Sequence, residues 1–103
     1  MRKVTERIKR AFEQGKALKL GNTETDGDTV WLFGNEIIRR DNVGTVWATL
    51  AGWNTPTTRE RVNGITGLRI YQQNFEAKLD GEPIESDEWI NVTANLAGTP
   101  LVF

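Results

Sequence analysis

The 103-residue sequence contains no cysteine and no histidine. Without cysteine there are no disulfides and no thiol nucleophile. Without histidine as well there is no sulfur- or imidazole-ligated zinc site, no Ser-His-Asp triad and no imidazole general base. Long apolar runs are absent too, so nothing approaches the length of a membrane span. The basic N-terminus does not lead into the apolar core of a signal peptide, because charges continue through Lys19. No membrane association and no cofactor are expected, and the expected location is the cytoplasm. Asn91-Val92-Thr93 matches a glycosylation sequon, which carries no weight without secretion. A chain of this length forms one domain that buries roughly two thirds of its unfolded surface.

The net charge of −1 conceals a division. Residues 1–20 hold seven basic residues (Arg2, Lys3, Arg7, Lys9, Arg10, Lys16, Lys19) against Glu6 and Glu13, giving 7 − 2 = +5; the remainder holds 6 basic and 12 acidic residues, giving −6. Such a polarity suits nucleic acid, an acidic surface, or a second copy of the chain.

Val4, Ile8, Ala11 and Phe12 fall at helical spacing, which predicts an amphipathic helix over 2–14 with Gly15 just past its end. Alternation then predicts a strand from Lys16 to Thr25, and Asp26-Gly27-Asp28 a plain turn rather than a calcium loop, since no glutamate follows at the required distance. Val30 to Phe33, the Gly-first pair Gly34-Asn35 and the residues after it read as a type II′ hairpin that pairs Leu32 with Ile37 and Trp31 with Ile38. One face then carries Val30, Leu32, Ile37 and Arg39, the other Trp31, Phe33, Ile38 and Arg40. A turn at Asp41–Gly44 leads into a strand over Thr45–Ala51, with Val46, Ala48 and Leu50 facing the core. Thr57-Thr58-Arg59-Glu60 has the form of a capping box, and Thr55 followed by Pro56 is an equally legal helix start. That short helix ends by Gly64 or Gly67, docked by Val62 and Ile65, with Arg59, Arg61 and Asn63 turned outward. Strands follow at Leu68–Gln72, Phe75–Leu79 and Trp89–Val92, with Asp80-Gly81 a strong turn. The sum is one α+β domain over 1–92: a basic helix in 1–15, then a core over 17–92 built as a mainly antiparallel meander with one short central capped helix. Residues 93–103 are expected as a tail, either loose or docking its apolar Leu101-Val102-Phe103 end on a groove.

Leu32-Phe33-Gly34-Asn35, then Gly52-Trp53, Thr55, Thr57-Thr58-Arg59, Arg61, Val62 and Asn63, resemble a pattern in small uncharacterised proteins of tailed bacteriophages. Arg69–Gln73 and Trp89–Val92 fit it as well, so the likeness spans residues 17–92. It implies a phage protein in the cytoplasm of a bacterial host. It implies no activity and no catalytic residues.

Two kinds of binding compete. A protein-binding module acting on a host or phage protein, as inhibitor or adaptor, would be anchored by aromatic and arginine side chains: Trp47, Trp53, Arg59 and Arg61, with Asn63 beside them. The alternative is nucleic-acid binding, with Arg2, Lys3, Arg7, Lys9 and Arg10 following phosphates and Trp31, Trp47 and Arg40 forming a sheet face for bases. Homo-oligomerisation through a sheet edge or the tail is compatible with both. An enzyme is not expected. Thr57, Thr58, Arg59 and Arg61 at a helix start could hold an anion and Glu36 could assist, but Glu60 puts negative charge there and capping already explains the threonines.

Overall fold

Thr5, Ile8, Ala11 and Phe12 recur at three- and four-residue intervals. In the computed structural model, which describes residues 2–97, they form the buried stripe of α1 (Lys3–Glu13). Gly15 ends it at φ +69, with the Lys16 N–H on the Ala11 carbonyl at 2.8 Å and the Gly15 N–H on the Phe12 carbonyl at 3.2 Å. The segment expected as one strand is two, β1 (Leu18–Leu20) and β2 (Thr23–Thr25). Gly21 takes φ +58, so the chain reverses at Gly21-Asn22 and Leu20 pairs with Thr23. The Gly-first turn therefore lies here.

The next hairpin joins β3 (Thr29–Leu32) and β4 (Asn35–Arg40). Its turn is Phe33-Gly34, both at positive φ (+50 and +80), one residue earlier than Gly34-Asn35. Leu32 thus pairs with Asn35 and Trp31 with Glu36, and a bulge then resets the register so that Val30 meets Ile38 and Thr29 meets Arg39. The bulge corrects the expected division of faces, because Ile37 and Ile38 are both buried. Asp41 builds the following turn by accepting the Val43 and Thr45 N–H groups on Oδ1, and its Oδ2 accepts the Trp47 indole N–H at 3.0 Å. These contacts, the indole first, hold its carboxyl below the usual aspartate range. β5 (Val46–Ala48) follows, with Ala48 and Leu50 buried and Val46 packed beside them.

α2 (Pro56–Thr66) starts from the second of the two legal caps, with the Thr58 N–H on Thr55 Oγ1 at 3.2 Å. The capping box at Thr57 does not form because the Glu60 carboxylate is turned to Thr5 and Arg61. Gly67, left-handed at φ +84, ends the helix. The expected strand at Leu68 begins later, since both backbone groups of Ile70 are taken by the Asn63 side-chain amide. β6 (Tyr71–Gln73), β7 (Glu76–Leu79) and β8 (Glu82–Pro83) make a second, three-stranded antiparallel sheet. β9 (Ile90–Asn91) returns to β5, and α3 (Val92–Ala97) continues from it with the Ala94 N–H on Asn91 Oδ1. The apolar Leu101-Val102-Phe103 end lies outside the described residues.

The fold is α+β. The main sheet has the order β1-β2-β3-β4-β5-β9, all antiparallel. One row of cross-strand partners, Leu18, Thr25, Val30, Ile38, Ala48 and Ile90, crosses all six strands and forms the floor of the core under α1 and α2. The opposite face carries Trp31 paired with Glu36, and the row Thr29, Arg39, Trp47 and Asn91.

Candidate functional site

Of the side chains expected to anchor a partner, Arg61 is turned inward. It is 3 % exposed and donates from Nε to Thr23 Oγ1 at 3.0 Å, from Nη1 to Thr5 Oγ1 at 3.2 Å, and to Glu60. Its position dictates this: Thr58, Val62 and Ile65 set the inner face of α2, and residue 61 lies three after the first and four before the last. Burial raises the Glu60 pKa, but the Thr5 hydroxyl and the Arg61 guanidinium outweigh it and hold the carboxyl below the usual range. Asn63 is likewise spent on Ile70, so neither it nor Arg61 faces outward as expected. Arg59 is half-buried and reaches Asn54 Oδ1 at 2.5 Å and Gln72 Oε1 at 3.1 Å, tying the loop before α2 to β6. Trp47 lies half-buried on the outer sheet face, held by Asp41. Trp53 alone of the five stands free, 59 % exposed.

The nucleic-acid constellation is also divided. Arg2, Lys3, Arg7 and Arg10 are exposed and Lys9 half-buried on α1, against the inner sheet face, whereas Trp31 and Trp47 lie on the outer one. Arg40 belongs to neither surface. It donates to the Gly27 carbonyl at 2.5 Å and the Phe12 carbonyl at 3.1 Å, pairs with Asp28 at 3.3 Å, and stacks 4.1 Å from the Phe12 ring centroid. It clamps the end of α1 to the turn before β3. There Gly27, at φ +99, approaches the Gly15 backbone so closely that a Cβ would lie 2.5 Å from its carbonyl carbon. Asp26 makes this a plain Asx turn, accepting the Asp28 and Thr29 N–H groups, which lower its pKa.

A different site emerges around Trp53. Leu32, Phe33, Ile37, Leu50, Ala51 and Trp53, with Asn35, Thr55 and Thr58, line a groove of about 430 Å³. Two left-handed turns border it. Phe33-Gly34 is one; the other is Ala51-Gly52 (φ +55 and +85), closed by the Trp53 N–H on the Leu50 carbonyl at 2.8 Å. Phe33, 71 % exposed, is thus held in a conformation that costs a bulky residue energy while its ring faces solvent. None of the nine lining residues is ionisable. Sequence reading named Trp53 but not Phe33 across the groove from it, because it placed the turn one residue late. The signal was Phe immediately before Gly at a hairpin tip, where an apolar ring has no core to enter.

A family model described as the Kyanoviridae Gp96 protein matches residues 1–98. The chain belongs to this family. It is a phage protein, as the resemblance implied, and the match takes in α1, which lay outside the stretch 17–92 that carried the likeness. No curated protein and no solved structure matches the chain. Among the described residues, no helix is long and apolar enough to cross a membrane.

Proposed function

We propose that this member of the Gp96 family acts by binding rather than catalysis, engaging a host or phage protein in the host cytoplasm as an inhibitor or adaptor, through the groove between Phe33 and Trp53. The observation that carries the reading is that two large aromatic side chains stand exposed on either side of an apolar groove. Exposed aromatics beside a concavity are the usual hot spots of protein recognition, and the volume suits one or two inserted side chains. The absence of any ionisable lining group supports binding over acid–base chemistry. Thr58 and Arg61, both buried, do not join Thr57 and Arg59 in an open anion site.

The test is affinity capture from infected host cells, with nuclease present, comparing the wild type with Trp53→Ala, Phe33→Ala and Trp47→Ala. A protein recovered with the wild type and Trp47→Ala but lost with the two groove variants is the expected result. Recovery that survives both groove substitutions would remove the groove from the proposal.

A further inference from the structure

The basic residues of α1 do not merely surround it. Lys3, Arg7 and Arg10 follow one another at i, i+4 and i+7 along one flank, which faces the edge strand β1. Two hollows lie between the helix and that edge and share Arg7. One is bordered by Arg7, Arg10 and Lys16 over Leu18, the other by Lys3 and Arg7 over Leu20, with the buried Arg61, already paired with Glu60, among its walls. Together they make a trough with four cations on its rim. No carboxylate lines either hollow. Among the described residues the ion pairs are Arg39–Glu36, Arg40–Asp28 and Arg61–Glu60, so none of the four rim cations is held in a direct ion pair. The acidic surplus gathers elsewhere: between Glu76 and Glu88 six acidic residues stand against one lysine.

We propose that this trough binds the sugar–phosphate backbone of a single-stranded nucleic acid, a second site separate from the Phe33–Trp53 groove. Helical neighbours at these spacings root their side chains about 5–6 Å apart at Cβ, which lets the flexible cationic ends follow successive phosphates of one strand. A single strand fits better than a duplex. α1 is flanked by β1 on one side and α2 on the other, so it cannot stand proud into a major groove, whereas a concave trough can receive one backbone. A peptide strand added to the edge of β1 is disfavoured, because that strand is only three residues long and offers few backbone groups to pair.

The experiment is fluorescence anisotropy with a labelled oligonucleotide of about 12 nucleotides, titrated with the full chain at several salt concentrations. Four phosphate contacts give a log–log salt slope near −3, so affinity falls about 50-fold between about 50 and 200 mM salt. Arg7→Gln/Arg10→Gln is expected to bind more weakly and to lose only about 7-fold over that range, because two counterions fewer are released. Arg69→Gln, which removes an exposed cation far from α1 in sequence, is expected to match the wild type. Circular dichroism of each variant confirms that the fold is retained. Three results would each overturn the proposal: no binding at low salt, a slope unchanged in the double variant, or equal affinity for a duplex or for polyglutamate. Retention of oligonucleotide binding by Trp53→Ala separates this site from the protein-binding groove, so either can fail without the other.

Discussion

Arg61 donates from Nη1 to the hydroxyl of Thr5 at 3.2 Å, and that hydroxyl donates to Glu60 Oε1 at 2.7 Å. Thr5 thus stands between the two partners of an ion pair and binds the first turn of α1 to the middle of α2. With Thr23 on Nε, the guanidinium joins both helices to β2.

Arg61→Leu should therefore be among the most damaging single substitutions in the chain. It leaves the half-buried Glu60 carboxylate without its cation and takes a donor from the Thr5 and Thr23 hydroxyls, and breaking a buried pair costs about 3 kcal/mol, a large part of a domain's total stability. Urea unfolding measures it. Thr5→Val, which keeps the volume and removes only the relay, should cost about 1 kcal/mol. A loss of similar size for both would show that the cost lies in the Thr5 relay rather than in the ion pair it joins.

The same network sets an acid dependence. The folded-state pKa of Glu60 lies below its unfolded value, so its contribution is complete above the ordinary glutamate pKa and is lost as pH falls through the folded value. Unfolding midpoints followed from neutral pH downward should show a shallower acid limb in Glu60→Gln than in the wild type, with a lower starting stability. Asp26 and Asp41, whose pKa values are lowered in the same sense, maintain the remaining slope.

The choice of helix cap gives a paired comparison. Thr55→Ala should cost about 1 kcal/mol because it removes the acceptor for the Thr58 N–H. Thr57→Ala, which caps nothing, should stay within about 0.5 kcal/mol of the wild type. The reverse order would restore the capping box.

Phe33 offers a trade between stability and binding. Phe33→Asn turns the hairpin tip into Asn-Gly, the pair that a two-residue turn with positive φ at both positions favours. The substitution should stabilise the chain by about 1 kcal/mol and at the same time weaken capture of the partner. Thermal unfolding and affinity capture on one preparation check both halves. A variant neither more stable nor weaker in capture would mean that the ring is an incidental feature of the turn.

Much of the fold was legible because the elements obey local rules. α1 could be read from its apolar spacing and Gly15, and β5 from Val46, Ala48 and Leu50. The hairpin of β3 and β4 was read with the wrong register, because its turn is built on Phe33, a residue no propensity places at positive φ, and because the bulge lets Ile37 and Ile38 both enter the core. The polar side chains of α2 were the least legible. Arg61 and Asn63 look like surface residues: Thr5 and Thr23, which draw Arg61 inward, are brought to it by the tertiary fold alone, and Asn63 turns to the backbone of Ile70, left free where the chain leaves α2.

The pairing of β9 with β5 bears on how the chain assembles. β1 to β5 are successive antiparallel neighbours that can zip together from local turns as the chain emerges. α2 and the whole second sheet separate β5 from β9 in sequence, however, and Ala48 meets Ile90 only when both are in place. The sixth strand is therefore expected to form late, and in pulse-labelled refolding amide protection at Ile90 should follow that at Val30 and Ile38.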